Sequence, residues 1–227
     1  MTEAAKRSAA REAESSFIPL TSRMAVALER NDICNVIAQW ALCRDTGRWE
    51  TLRSLYAPGA TMQTTWCECS ADEFIDRSIA AFGKGAKAQH FIGSSTIELR
   101  RARAIAETRV VLLLRAPIGE AEVDVTCHGR FYDFLAKSHS QWRIHKRIPI
   151  YEKDRVDPVD SSKKLYLDQK FLSQFAEGYR HLAYMQSLGG AVLTKGLIVP
   201  NSTEERRLYK EGDEWLASAP LSDSDNE

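Results

Sequence analysis

The chain lacks an excess of charge of either sign and has no long apolar run. Its 227 residues carry 31 Lys and Arg against 31 Asp and Glu, so the formal net charge is zero. This balance argues against a general nucleic-acid or membrane-surface binder, which needs a basic excess. No apolar run approaches the length that spans a bilayer. With 44% hydrophobic residues, the composition is that of an ordinary globular protein able to bury a core.

Cysteine is scarce, and the count of five is odd: Cys34, Cys43, Cys67, Cys69 and Cys127. Odd number and irregular spacing predict free thiols in a reducing compartment rather than a disulfide framework. Cys67 and Cys69 would share one face of a strand, which leaves a metal site open there. The N-terminus lacks the apolar segment of a secretory signal. We therefore expect a cytoplasmic protein.

Common catalytic motifs are missing as well. The sequence has no Gly-rich phosphate loop, no G-x-S-x-G elbow and no H-E-x-x-H pair. Nothing in it requires a nucleotide or a metal, so we expect no cofactor and no metal site in the mechanism.

Apolar periodicity predicts helices followed by a meander of strands. The first helix shows a stripe of Ile33, Ile37, Trp40 and Ala41, with Asn31 and Asp32 as its expected cap. The predicted elements are helices over about 33–44, 49–57 and 70–85, a strand over 60–69, and strands over 90–100, 102–116, 121–136 and 141–151. This order indicates an α+β fold, a curved antiparallel sheet packed on N-terminal helices. Such a sheet forms a cone with a pocket at its mouth.

Four segments follow from the same patterns. They are a flexible arm over 1–22, the cone domain over 23–152, a C-terminal helical extension over 153–219, and an acidic disordered tail over 220–227. We expect the extension either to close the cone mouth as a lid or to wrap a neighbouring subunit.

A candidate pair for proton transfer lies at two element ends. His90 opens the first long strand in "AQHFIGSSTIEL", and Asp45 ends the first helix in "CRDTGRW". A carboxylate bonded to one imidazole nitrogen fixes the tautomer, which lets the other nitrogen remove a proton. The alternative is a strand-end histidine and a turn residue without chemistry.

Two further polar residues are candidates for the same site. Arg147 would steady negative charge on a leaving group or enolate; alternatively it is an exposed arginine paired with Asp133 or Glu152. His128 is on one strand face with Arg130 and Tyr132, and that face lines either the pocket or the convex side. The aromatic candidates for the pocket wall are Trp40, Tyr56, Trp66 and Tyr151.

Three stretches carry a family resemblance: "VIAQWALCRDTGRWETLRSLYAPGATM", "HFIGSSTIEL" and "CHGRFYDFLAKSHSQWRIHKRIPIY". Together they resemble the SnoaL-like branch of the nuclear transport factor 2-like superfamily. This group includes scytalone dehydratase, bile acid 7α-dehydratase and hexachlorocyclohexane dehydrochlorinase. The resemblance implies a cone-shaped α+β barrel that forms a homodimer or homotrimer.

The resemblance also implies roles for particular residues. Lyases of this group use an Asp–His dyad, and Asp45 and His90 fall at its positions. Arg147 falls near a basic residue that assists the leaving group, and His128 corresponds loosely to a second histidine. Trp40 stands where the dehydrochlorinase has a lysine, which argues against halide elimination.

The function that the resemblance implies is that of a cofactor-independent lyase or isomerase acting on a small hydrophobic substrate. Two other functions stay open on the same fold. One is a non-catalytic ligand-binding or interaction module. The other is a hydrolase or cyclase, for which the sequence shows no clear Asp-Arg-Asp cluster.

Overall fold

A computed structural model describes residues 20–218 of the chain. The predicted arm over 1–22 lies almost wholly outside the described residues, and the predicted tail over 220–227 lies entirely outside them. Within residues 20–218, no helix combines the length and the apolar character needed to cross a membrane.

The first helix, α1 (Leu20–Thr46), is much longer than the sequence predicts. The expected cap at Asn31 and Asp32 is wrong, because the helix has already begun at Leu20. Residues 22–32 are almost all exposed, so they carry no apolar stripe that periodicity could detect. The buried stripe that does predict the helix packs against the sheet.

Two shorter helices complete the layer beside α1: α2 (Trp49–Ser54) and α3 (Ala71–Gly83). The predicted cap of α3 is present, since the Ser70 side chain accepts a hydrogen bond from the Glu73 backbone N–H. The Glu73 carboxylate forms an ion pair with Arg77, one turn along the helix. The serine therefore stops the chain from fraying at this end of α3.

Six strands form one curved, unclosed sheet: β1 (Tyr56–Thr64), β2 (Cys67–Ser70), β3 (Lys87–Arg100), β4 (Arg103–Ile118), β5 (Ala121–Ser138) and β6 (Gln141–Pro158). Their order is β2-β1-β6-β5-β4-β3. All neighbours are antiparallel except β1 and β6, which are parallel. The predicted α+β cone is confirmed, with one parallel pair added to it.

The predicted strand over 60–69 is in fact a hairpin of β1 and β2, with Thr65 and Trp66 in the turn. The expectation that all cysteines are free thiols is wrong for Cys67 and Cys69, which form a disulfide. Alternation along β2 puts both side chains on one face, so the sulfurs can meet. The pair is therefore not available as two thiolate ligands for a metal.

Strand β6 continues seven residues past Tyr151, where the sequence predicts a loop. Pro149 follows Arg147, the last residue of β6 that pairs with β1. From that point β6 has no β1 neighbour, so it tolerates a residue without an N–H. The chain then bridges to Ile198 of the C-terminal extension through Ile150.

The extension packs on its own chain, on both faces of the sheet. It contains α4 (Gln169–Leu172), α5 (Arg180–Leu188) and α6 (Thr203–Ala217). Helix α5 buries Leu182 and Met185 on the concave face, while α6 buries Leu208 and Leu216 on the convex face. Gly178 permits the close approach before α5, because a Cβ there would lie 2.3 Å from the Tyr151 carbonyl oxygen.

Candidate active site

Asp45 and His90 meet at the wall of the cone. The Nδ1 atom of His90 lies 2.7 Å from Asp45 Oδ1. The His90 backbone N–H donates to Asp45 Oδ2 at 2.6 Å. The carboxylate therefore binds both the ring and the main chain of the same residue, which fixes the imidazole in position.

The end of α1 brings the carboxylate to the sheet. Gly47 has a positive φ of 73°, a conformation that ends helices and that favours glycine. The Arg48 N–H closes the helix end by donating to the Cys43 carbonyl oxygen. Asp45, in the last turn, is then held against β3, where His90 pairs across from Leu112 of β4.

Burial and charge together keep His90 neutral. Its side chain is 11% exposed, and that of Asp45 is 12% exposed. Burial lowers the pKa of His90, and the cations Arg44 and Arg147 lower it further, whereas Asp45 opposes the shift. With its Nδ1–H donated to Asp45, the neutral ring keeps a lone pair on Nε2, which is the form a general base needs.

Arg147 lies beneath this pair and is fully buried. It donates to Asp133 through Nε at 2.6 Å and Nη2 at 2.7 Å. Its guanidinium carbon lies 4.2 Å from the ring centres of both Trp40 and Phe131. The alternative reading of the sequence named Asp133 as the partner correctly, but the arginine is not exposed.

The dyad opens onto a cavity whose empty space, counted together with the open solvent at its mouth, is about 680 Å³. Its wall draws on helices and strands from the whole domain: Trp40, Met62, Trp66, Phe74, Ala88, His90, Val110, Leu112, Leu114, Cys127, Phe131, Ile150 and Tyr151, among others. The set is mostly apolar. A lining of this kind suits a hydrophobic molecule.

Three of the four aromatic candidates line the cavity: Trp40, Trp66 and Tyr151. Tyr56 does not line it. Its hydroxyl accepts a hydrogen bond from Trp40 Nε1 at 2.6 Å, and burial raises its pKa to about 12. Tyr56 therefore holds Trp40 in place behind the wall.

The prediction that His128 belongs to the catalytic set does not fit the geometry. His128 lies on the convex face, in a shallow depression with Phe91, Arg109 and Glu152. Its neighbours Cys127 and Phe131 face the cavity instead. Strand alternation puts His128 on the opposite side from Cys127, and the register shift at Gly129 does not bring it back.

Sequence reasoning missed a second carboxylate–imidazole pair of the same design. Asp154 Oδ1 lies 2.7 Å from His181 Nδ1, and Asp154 Oδ2 accepts from the His181 and Leu182 backbone N–H groups. Neither residue is among those lining the cavity. This pair fixes the start of α5, and no sequence signal joined residues so far apart.

Among residues 20–218, no three His, Cys, Asp or Glu side chains gather as a metal site would need. The expectation of a cofactor-free reaction stays a prediction.

A curved sheet closed by helices around a cavity, with a carboxylate and an imidazole joined at its wall, defines a cone-shaped α+β protein of the kind that includes dehydratases and isomerases. The family follows from the sequence comparison. The chain belongs to the SnoaL-like domain family, whose model matches residues 25–148.

Two relatives come from the fungus Fusarium vanettenii. A PEP2-like protein is 31% identical over 202 residues, which cover 84% of this chain and 87% of that protein. Pea pathogenicity protein 2 is 34% identical over 164 residues, which cover 71% of this chain and 70% of that protein. Neither name states a chemical activity.

A solved structure supports the fold alone. It is the crystal structure of a candidate scytalone dehydratase from Novosphingobium aromaticivorans, with a TM-score of 0.50 and 14% sequence identity. The match covers 57% of this chain and 87% of that one.

Proposed function

We propose that the protein is a cofactor-independent lyase or isomerase, with His90 as general base and Asp45 as the group that orients it. The substrate is a small, largely apolar molecule with an acidic C–H beside a carbonyl or a similar activating group. The observation that carries this proposal is the 2.7 Å contact between Asp45 Oδ1 and His90 Nδ1 at the wall of an apolar cavity.

The first step is proton transfer from carbon to His90 Nε2. The C–H bond breaks, its electron pair stays on the substrate as an enolate, and the imidazole becomes an imidazolium. Asp45 stabilises that positive charge through the Nδ1–H bond, as a carboxylate does in other catalytic pairs. The lowered pKa of His90 keeps the acceptor free of a proton at neutral pH.

The second step distinguishes the two reaction types. In an elimination, the enolate electrons form a C=C bond and hydroxide leaves from the neighbouring carbon. The proton on His90 joins that hydroxide, so water is released and the base is regenerated. In an isomerisation, the same proton returns to a different carbon of the substrate.

We propose for Arg147 a role other than the predicted one of stabilising negative charge on the substrate. It does not line the cavity, and its carboxylate partner Asp133 already binds two of its nitrogens. We propose that it acts on His90 only through its charge, as a positioning residue. His128 has no part in the proposal, because it lies on the other face of the sheet.

A non-catalytic binding module is the competing function. It would be favoured by a cavity filled with side chains, or by an Asp45 carboxylate too far from His90 to form a hydrogen bond. The hydrogen bond between Asp45 and His90, at the wall of an open cavity, favours the catalytic proposal.

The test is hydrogen–deuterium exchange at carbon in a panel of carbonyl compounds, followed by NMR. His90→Gln should slow exchange by about 10²–10⁴-fold, the usual contribution of a general base. His128→Gln is the matched control, because it removes an imidazole on the face of the sheet opposite the cavity, and its rate should equal that of wild type. Exchange at the wild-type rate in His90→Gln would sink the proposal.

Two expectations about the setting of the protein are also retained as proposals. We propose a cytoplasmic location. Cys34, Cys43 and Cys127 are free thiols, whereas the Cys67–Cys69 disulfide is more typical of an oxidising compartment. A fluorescent fusion found outside the cytoplasm would contradict the proposal. We further propose that the chain forms a homo-oligomer and acts without nucleic acid or membrane.

A further inference from the structure

The cavity wall contains a buried arginine, Arg44, in the last turns of α1. It follows Trp40 by four residues and so continues the buried stripe that runs from Ile33 along this helix. Residues at this spacing share one helix face. Arg44 therefore lies on the face that carries Trp40 to the cavity, and both residues line it. Arg44 is only 9% exposed.

The guanidinium of Arg44 has no anion bound to it. Within residues 20–218 it forms neither a hydrogen bond nor an ion pair, and its Cζ lies 5.9 Å from the ring centre of Trp49. The carboxylate next to it in sequence is already engaged, because one oxygen of Asp45 binds the ring of His90 and the other binds its backbone N–H. Burial lowers the pKa of Arg44, and the attraction of Asp45 does not offset this shift, as expected of a cation without a hydrogen-bonded partner.

The nitrogens of Arg44 are open to water. In the described part of the chain, the side-chain nitrogens and oxygens that are both closed to water and without a partner all belong to other residues. The nitrogens of Arg44 also lack a partner, so they are accessible. Because the side chain is almost wholly buried and lines the cavity, the cavity is the space in which a ligand would reach them.

The charges around the cavity indicate which ligand fits. Within the described chain, two cationic side chains line it, Arg44 and Arg130. Arg130 is already neutralised by three carboxylates, those of Glu107, Glu152 and Glu205. One guanidinium balances one negative charge, and its fork of N–H donors matches the two oxygens of a carboxylate. A phosphate dianion would keep an uncompensated charge in an apolar cavity, which is costly.

We propose that Arg44 binds a carboxylate of the substrate and determines specificity for it. The substrate class is then a keto acid: a largely apolar molecule with an acidic C–H beside its carbonyl and a carboxylate further along. This inference rests on the proposed function for the carbonyl end, which is assigned to His90. The carboxylate end rests on Arg44 alone. Water is the alternative occupant of the guanidinium, and the test distinguishes the two.

The test compares β-benzoylpropionate with its methyl ester. The two probes share an aryl ketone with an acidic C–H, and they differ by one negative charge. Calorimetry on the full-length protein should show that the carboxylate binds about 10–100-fold more tightly than the ester, the value of a hydrogen bond to a charged group.

The variant Arg44→Met should bring the ratio of the two affinities close to one. Arg44→Lys keeps the charge but loses the planar fork, so it should lower the ratio without abolishing the preference; it serves as the second variant if the first does not fold. Arg48→Met is the matched control, because it removes an exposed arginine four residues further along that does not line the cavity. Its ratio should match wild type.

Equal affinities in the wild type would mean that water alone occupies the guanidinium, and they would overturn the inference. Failure of the carboxylate to bind, or a preference that survives in folded Arg44→Met, would do the same. Deuterium exchange on the same probes tests the proposed function separately, since His90→Gln should lose exchange and keep the carboxylate preference. Exchange without a preference would remove the role of Arg44 alone, whereas an Arg44-dependent preference without exchange would remove the proposed chemistry and leave the recognition.

Discussion

The charge state of a single imidazole should control both activity and stability. Burial lowers the pKa of His90 from an unperturbed value of about 6.5. The neutral base therefore persists below that pH, and kcat/KM should stay level on acidification until the pH approaches the lowered value. A pH–rate profile checks this, and an acid limb at or above about 6.5 would contradict it.

The same shift predicts how stability depends on pH. His90 in the unfolded chain takes up a proton at a higher pH than in the folded protein. Its contribution to stability is complete above the unfolded-state pKa of about 6.5 and is lost as the pH falls through the folded-state pKa. Between neutral and acidic buffer, the wild-type melting temperature should therefore drop further than that of His90→Gln. Equal drops would show that His90 is not buried as described.

Arg147 and Asp133 should be tested as a pair, because both are fully buried and each holds the other. Burial raises the pKa of Asp133 against the influence of Arg147. Arg147→Met should lower the free energy of unfolding by about 3–5 kcal/mol, because it leaves a buried carboxylate without its partner. The double variant Arg147→Met, Asp133→Leu should recover most of that loss in urea unfolding.

Two readouts separate a structural role of Arg147 from its effect on the base. The control is Lys146→Met, which removes the cation next to Arg147 in sequence. Its partner Glu211 is partly exposed, so this variant should lower the free energy of unfolding by at most about 1 kcal/mol. In the double variant, the acid limb of kcat/KM should move to higher pH, because the charge that lowers the pKa of His90 is gone. An unmoved limb would leave Arg147 with packing alone.

At the scale of helices and strands, the sequence predicted the features that depend on a few neighbouring residues. The Ser70 cap, the turns between β3 and β6, and the position of Asp45 at a helix end all lie in short stretches of sequence. The extent of α1 and the split of β1 from β2 do not. An exposed helix leaves no apolar period, and two short strands joined by a two-residue turn read as one.

The candidate site likewise has a part that the sequence predicts and a part that depends on residues distant in the chain. Asp45 and His90 were predicted because each marks the end of an element and the family resemblance joins them. The burial of Arg147 depends on Trp40 and Phe131, which come from distant parts of the chain. Gln186, in the cavity lining, comes from an extension that folds back onto the domain, and no pattern within α5 predicts that return.

Asp154 should decide whether helix α5 stays packed against the sheet. It is fully buried and accepts from two backbone N–H groups at the start of α5 and from the His181 ring. Asp154→Ala should lower the free energy of unfolding by about 2 kcal/mol or more, because the helix loses its cap and backbone donors are left unpaired. Urea unfolding measures the cost, and hydrogen exchange should rise first in α5.

The control for this prediction is Asp160→Ala, which removes an exposed carboxylate bonded only to nearby Ser162. It should leave the unfolding midpoint and the exchange of α5 unchanged. A wild-type midpoint in Asp154→Ala would mean that α5 is held by its apolar contacts and does not depend on the cap.

At the scale of the whole molecule, one part of the convex sheet face has no cover within the described chain. Helix α6 packs over Tyr132, Phe134 and Ile148, but β3 and β4 present exposed Phe91 and Leu113 beyond it. Phe91 is 68% exposed. Large apolar side chains grouped on a sheet face are typical of an interface, and a second copy of the same face is the simplest partner, since two-fold pairing is self-complementary.

We therefore expect a homodimer through this face. Light scattering on the eluting protein should give twice the chain mass of 25.6 kDa, and Phe91→Lys should shift it to the monomer, because the lysine would have to be desolvated in the interface. Val192→Lys is the control, as Val192 is exposed but lies in the extension, away from β3 and β4. A wild-type monomer at high concentration, or a dimer that Phe91→Lys does not weaken, would show that the face is free, whereas a mass of three chains would replace the two-fold arrangement with a ring.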